Sequence, residues 1–179
     1  MTVKQVFLIL LKSFIGEDEM THLVKARALA KEYHKFQKDK AGRDYFEYHV
    51  QPIVMKVWDY CEKMKKEARI TAEIVTVAYL HDILEDTELN RYDLVQEGFP
   101  KHIIDAVDAM TRKEKEKYLP EYIPRVKKNE YAKIVKTFDL LTNLDMSHGF
   151  VNESLIHRYI SALKILDYKL EGSDGREKE

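Results

Sequence analysis

Tyr79-Leu80-His81-Asp82-Ile83-Leu84-Glu85-Asp86-Thr87 is the stretch of sequence that decides the fold. It closes the most apolar helix that the sequence predicts, which begins with an N-cap at Thr71. A helix that is apolar on most of its faces is expected at the centre of a fold. Titratable side chains are costly in such a place unless they have partners or a function. The apolar positions of this predicted helix are Ile74, Val75, Val77, Ala78, Leu80, Ile83 and Leu84.

The spacing of the titratable residues in this stretch indicates a metal site. On a continuous helix, His81 and Glu85 stack on one strip, and Asp82 and Asp86 stack on the next. His81 and Asp82 can then bind a metal beside the helix, while Glu85 and Asp86 reach a metal-bound water or a substrate proton one turn further on. The alternative is a helix end that is simply solvated. The cluster as a whole favours a functional site, because burial and perturbed titration accompany such sites.

Composition limits the classes of protein to which the chain can belong. Its 179 residues suit one domain, and its few glycines (6) and prolines (4) favour long helices. The net charge of −1 argues against nucleic acid as a partner but leaves a small anionic substrate open. The single cysteine, Cys61, excludes an internal disulfide and suits the reducing cytoplasm.

Hydrophobic periodicity is helical almost throughout, so the sequence predicts an all-α fold. We expect an accessory helix in residues 1–19, one domain over 20–170 and a disordered tail over 171–179. The apolar run Val6–Leu11 is too short to span a membrane. It would cover the core or a partner subunit, which leaves a homo-oligomer open. The predicted helices lie near 23–36, 53–61, 71–84, 91–97, 101–110, 120–128, 130–143 and 152–170, with a loop at 37–48.

A family resemblance is carried first by Leu80–Thr87. This segment resembles the LHDxxEDT motif of the hydrolase domain of RelA/SpoT proteins and their small stand-alone relatives. These are HD-superfamily enzymes that remove the 3′-pyrophosphate from (p)ppGpp. The resemblance runs from about residue 24 to 168. It implies a compact multi-helix HD-domain bundle with metal ligands at His81 and Asp82.

Upstream, the family has a histidine, a Q-x-R/K-x-x-G loop and an aromatic stretch that ends in a metal-binding histidine before a proline. His34–Gly42 is similar to the loop, and Tyr45–His49 to the stretch with one extra residue. The resemblance implies His49 as a ligand, with His34 as its competitor. Gln37 stands where the family usually has arginine, whereas Lys38 keeps the next basic position and would neutralise phosphate charge.

Downstream, Lys136–Asn143 resembles the family's K-L-A-D-R-L-x-N helix, with Leu140 in place of the usual basic residue. The resemblance implies Asp139 as the fourth ligand. Asn143 would hydrogen-bond a ribose or phosphate oxygen. A second segment, Glu121–Val126, resembles the Y-I-x-R-V segment of the stand-alone relatives, so Tyr122 and Arg125 are expected to bind substrate in the nucleotide pocket.

Two imidazoles and two carboxylates suit a divalent metal, with Mn²⁺ preferred and Fe²⁺, Mg²⁺ or Zn²⁺ open. The first interpretation is a nucleotide phosphohydrolase, with guanosine 3′,5′-bis(diphosphate) 3′-pyrophosphohydrolase as its lead activity. The second is another HD chemistry, such as a nucleoside monophosphate phosphatase or a di-iron oxygenase. The third is a non-catalytic module that binds metal and nucleotide. Glu85 and Asp86 favour catalysis, because a structural metal needs neither.

Overall fold

The computed structural model describes residues 16–145 and 152–169, and in these ranges it is a bundle of helices without a β-strand. The all-α prediction is confirmed. Most of the predicted accessory helix (1–19) and the predicted tail (171–179) lie outside the described residues. The helices are α1 (Glu17–Tyr33), α2 (Gln51–Lys63), α3 (Ala68–Leu80), α4 (Ile83–Asp86), α5 (Arg91–Gln96), α6 (Lys101–Met110), α7 (Ile123–Lys127), α8 (Glu130–Leu144) and α9 (Glu153–Ile165).

Helix α3 is the centre of the bundle, as its apolar sequence predicts. All residues from Thr71 to Leu80 are buried, and α1, α2, α6 and α8 pack around them. The predicted N-cap at Thr71 is wrong. The helix begins at Ala68, and the Thr71 N–H already donates to the Glu67 carbonyl at 2.9 Å. Ala68 and Arg69 are good helix formers, so helix formation extends one turn upstream of the threonine.

The predicted continuous helix through Leu84 is also wrong. Helix α3 ends at Leu80, and Asp82 has φ −107° and ψ 0°, in the sparsely populated bridge region. The Asp82 carbonyl then accepts the N–H groups of Glu85 at 3.1 Å and Asp86 at 2.8 Å, which starts the short helix α4. The His81-Asp82 pair therefore lies in a turn between two helices.

The predicted loop at 37–48 is shorter than expected. A single antiparallel β-bridge pairs Lys38 with Asp44 and brings the two ends of the loop together. A π-helical turn, Phe46–Val50, follows and runs directly into α2. It buries His49 and Val50 against the bundle. A second π-helical turn, Tyr118–Tyr122, leads into α7 in the same way.

No helix within the two described ranges combines the length and the apolar character that crossing a bilayer requires.

Candidate active site

Three side chains converge where α3 ends. The Nε2 atom of His81 lies 2.7 Å from Oδ2 of Asp82 and 3.4 Å from Nε2 of His49, and that His49 nitrogen lies 3.5 Å from the same Asp82 oxygen. These potential ligand atoms all lie within 4.8 Å of one another. The break after Leu80 turns Asp82 toward His81, and the π-helical turn brings His49 to the pair.

The tautomer of His81 is set by the backbone. Its Nδ1 faces the carbonyl oxygen of Ala78 at 2.9 Å, so Nδ1 carries the hydrogen and Nε2 is free to bind a cation. Burial alone would lower the pKa of His81, but the charge of Asp82 outweighs it and raises the pKa to about 9. His81 in turn holds the pKa of Asp82 well below its ordinary value, against the effect of burial. The centre therefore attracts positive charge, either a proton or a metal ion.

Asp139 joins this centre from α8. Its Oδ1 lies 3.5 Å from Nε2 of His49. The side-chain amide of Asn143 donates to the same oxygen at 2.6 Å, and the ammonium of Lys136 lies 2.7 Å from Oδ2. Burial would lower the pKa of Lys136, but Asp139 holds it well above its usual value. The carboxylate of Asp139 is thus oriented by two neighbours on its own helix.

An open, polar cavity of about 450 Å³ lies over these four side chains. Its lining brings together three of the four predicted metal ligands, both predicted catalytic residues and two of the four predicted substrate-binding residues. Its lining residues are Lys38, Asp39, Lys40, Tyr45, His49, Asp82, Glu85, Asp86, Lys136, Asp139, Asn143 and Tyr159, and His81 lies buried behind Asp82.

The two predicted catalytic carboxyls have different surroundings. The backbone N–H of Arg112 donates to Oε2 of Glu85 at 3.0 Å. Desolvation raises the pKa of Glu85 above its ordinary value. The amide of Gln37 donates to Oδ2 of Asp86 at 2.8 Å. Glu85 therefore has the character of a group that can hold a proton in this cavity.

Tyr45 and Lys136 were not predicted as site residues. The Tyr45 hydroxyl donates to Oδ2 of Asp82 at 2.5 Å, and its ring lies 4.7 Å from the His49 ring, centroid to centroid. Lys136 is the cation that pairs with Asp139. The only sequence signals for them were their places in the two quoted motifs, since hydrophobic periodicity carries no information about such contacts.

Tyr122 and Arg125, which were predicted to bind substrate, do not line the cavity. Tyr122 is buried, and its hydroxyl donates to the carbonyl of Met110. Arg125 donates to both carboxylate oxygens of Glu116 at 2.7 Å and to backbone carbonyls of residues 108, 109 and 111. These contacts hold the loop after α6 against α7, so both side chains stabilise the fold.

Replacing Arg125 with methionine is therefore expected to lower the free energy of unfolding by about 2–3 kcal/mol, because it leaves Glu116 and several carbonyls without their donor. Arg125 holds the pKa of Glu116 down at about 2. The stability from this pair is fully present above the ordinary carboxyl pKa and is lost as the pH falls through about 2. Urea denaturation between pH 7 and 2 should show the difference in stability between the two proteins narrowing in acid, because the bonds to Glu116 are lost while those to the carbonyls remain. A variant with unchanged stability but weakened substrate binding would contradict this prediction and show that Arg125 binds substrate.

No protein-family model matches the chain. Among solved structures, the chain is similar to one described as a metazoan ortholog of SpoT that hydrolyzes ppGpp and plays a role in starvation responses. The TM-score is 0.61 and the sequence identity 21%, over 82% of this chain and 84% of that chain. At this identity the likeness shows a shared fold, which confirms the fold that the sequence resemblance implied.

Proposed function

We propose that this protein is a metal-dependent phosphohydrolase whose substrate is guanosine 3′,5′-bis(diphosphate), from which it removes the 3′-pyrophosphate. His49, His81, Asp82 and Asp139 are the proposed metal ligands. The observation that carries the proposal is the convergence of these four side chains, from three separate parts of the chain, beneath one polar cavity. The shared fold with a SpoT ortholog that hydrolyzes ppGpp supports the choice of substrate.

The donor atoms fit a divalent metal ion. With one hydrogen on Nδ1 held by the Ala78 carbonyl, Nε2 of His81 faces Oδ2 of Asp82 at 2.7 Å, and the raised pKa of His81 shows that this position favours a positive charge. A divalent cation would take the place of the Nε2 proton between the two atoms. Two imidazoles and two carboxylates without a thiolate favour Mn²⁺, with Fe²⁺, Mg²⁺ and Zn²⁺ as competitors. Such an ion, when bound, lowers the pKa of a water molecule and polarises a phosphoryl oxygen.

The cavity also suits a phosphorylated nucleotide. Its volume of about 450 Å³ lies in the range of small-molecule sites. Lys38, Lys40 and Lys136 bring cationic side chains to its lining. Lys136 keeps its charge although it is largely buried, so it can stabilise negative charge that develops on a phosphoryl group.

Glu85 and Asp86 are the proposed acid–base groups. Both line the cavity with Asp82, one turn beyond it on α4. The raised pKa of Glu85 suits a carboxyl that donates a proton to the leaving ribose 3′-oxygen as the bond between that oxygen and phosphorus breaks. The carboxylate of Asp86, oriented by Gln37, is placed to accept a proton from the attacking water. This division of work requires no covalent nucleophile.

The test is a substrate and metal screen with the purified protein. Bound metal is measured first, and release of pyrophosphate and phosphate is then followed with ppGpp and common nucleotides in the presence of Mn²⁺. The expected result is Mn²⁺-dependent release of pyrophosphate from ppGpp. Release of orthophosphate only, from nucleoside monophosphates, would replace the proposal with a phosphatase. No turnover of any nucleotide would exclude the enzymatic function.

A further inference from the structure

A buried histidine outside the metal centre is linked to one of the acid–base groups. His34, the residue that follows the last residue of α1, has no exposed surface. Its Nδ1 lies 2.6 Å from Oε1 of Gln37, and Nε2 of Gln37 lies 2.8 Å from Oδ2 of Asp86. Neither His34 nor Gln37 lines the cavity. Any effect that they have on the reaction must therefore pass through another residue.

The direction of each hydrogen bond follows from the chemistry of the groups. A carboxylate accepts only, so the amide nitrogen of Gln37 must face Asp86 and the amide oxygen must face His34. The Nδ1 atom of His34 therefore carries the hydrogen. Burial lowers the pKa of His34, which favours the neutral ring. Its Nε2, which has no hydrogen-bond partner within residues 16–145 and 152–169, is then a bare lone pair and not an unsatisfied N–H donor.

The same ring also supports the metal centre. The His34 and Tyr45 rings lie 5.2 Å apart, centroid to centroid, and the Tyr45 hydroxyl donates to Asp82. A single buried side chain thus contacts the neighbours of both Asp82 and Asp86. The polar link to Asp86 runs through Gln37, whereas the link to Asp82 depends on ring packing.

We propose that His34 and Gln37 are positioning residues, which hold the Asp86 carboxylate toward the cavity through the chain His34 Nδ1–H to Gln37 Oε1 and Gln37 Nε2–H to Asp86 Oδ2. The inference rests on the proposed function of Asp86. A glutamine is required in the middle of this chain, because the link needs an acceptor for His34 and a donor for Asp86. An arginine at this position has donors only and would leave the hydrogen on His34 Nδ1 without an acceptor.

This hydrogen-bond chain can be tested first by a measurement that does not depend on enzymatic turnover. Long-range ¹H–¹⁵N spectra of the full-length protein with Mg²⁺, which is diamagnetic, report the tautomer of His34. We expect the Nδ1–H form, together with slow hydrogen exchange of the Gln37 side-chain amide. His34→Phe should abolish that protection, whereas His34→Asn should keep it, because the asparagine amide can donate from the position of Nδ1. An Nε2–H tautomer in the wild type would overturn the proposal.

The second test is a double-mutant cycle on turnover of ppGpp. His34→Phe should lower kcat about ten-fold, with KM and metal content little changed. The same result is expected for Gln37→Glu, which is isosteric but has no N–H group to donate to Asp86. His34→Asn should restore most of the rate. In an Asp86→Ala background, assayed at high enzyme concentration, His34→Phe should have no further effect.

The outcomes separate the two hypotheses. If the wild type is active and His34→Phe lowers the rate equally with and without Asp86, the positioning role is wrong and His34 is merely structural. If the wild type turns over no nucleotide, the proposed function is wrong. The catalytic role of the hydrogen-bond chain through His34 and Gln37 is then wrong as well. An intact hydrogen-bond pattern in the spectra would then describe only a structural contact.

Discussion

Asp82→Ala is expected to remove the bound metal and to lower turnover by at least about a thousand-fold, the largest effect of any single substitution in this chain. The Oδ2 atom of Asp82 is the one point that His81, His49 and Tyr45 all approach, at 2.7, 3.5 and 2.5 Å. Its loss removes a negative charge from the proposed ligand set and releases the side chains that face it. Metal content of the purified protein and Mn²⁺-dependent turnover are the two measurements.

The matched control is Asp59→Ala, which removes an exposed carboxylate from α2, outside the cavity. It should keep the metal and the full rate. The circular dichroism of Asp82→Ala should stay helical, because the Asp82 carbonyl, and not its side chain, accepts the first N–H groups of α4. An Asp82→Ala protein that retains one metal per chain and normal turnover would disprove the proposed centre.

How far the sequence predicts this centre depends on the residue. The pair His81-Asp82 can be found from physics alone, because titratable residues at the end of an apolar helix are costly without partners. The predicted i, i+4 stacking, however, assumes a continuous helix. The structure instead breaks the helix after Leu80, and the break turns Asp82 onto the Nε2 side of His81. Local propensity gives no sign of this turn, which lies within an apolar segment.

His49 shows a different limit. It was predicted only through the family resemblance, because a single histidine in a stretch without helical periodicity has no signal of its own. The extra residue noted in that stretch coincides with the π-helical turn Phe46–Val50. A π-helical turn accommodates an inserted residue within a helix and shifts the side chains that follow. Periodicity at 3.6 residues cannot detect it, so the segment looked like a loop.

The four predicted substrate-binding residues fall into two groups, according to whether their side chains face the cavity. Lys38 and Asn143 lie in the cavity lining, whereas Arg125 and Tyr122 point into the contacts of α7 with the loop after α6. A motif fixes which residues are present but not which face of a short helix meets the cavity. The tertiary contacts of the helix decide that. Lys136 was not predicted as a site residue. Its ammonium reaches the cavity because α8 packs against the turn after α3.

Glu85→Gln is expected to lower kcat by about 10²- to 10⁴-fold while the metal content stays that of the wild type. The glutamine keeps the volume of the side chain, and its carbonyl oxygen can still accept the Arg112 N–H. It cannot release a proton to the leaving ribose 3′-oxygen. The control is Glu153→Gln, which neutralises an exposed carboxylate at the start of α9 and should leave the rate unchanged.

The pH dependence of turnover separates this role from a merely electrostatic one. Because desolvation raises the pKa of Glu85, its protonated form persists to a higher pH than that of an ordinary glutamic acid. If this form is the proton donor, the wild-type kcat falls as the pH rises through that raised value, and the residual activity of Glu85→Gln lacks this limb. A variant with the wild-type pH profile at a reduced rate would show that the glutamate acts through its charge. The proton donor would then have to be another group in the cavity, and Asp86→Asn would be the next substitution to measure.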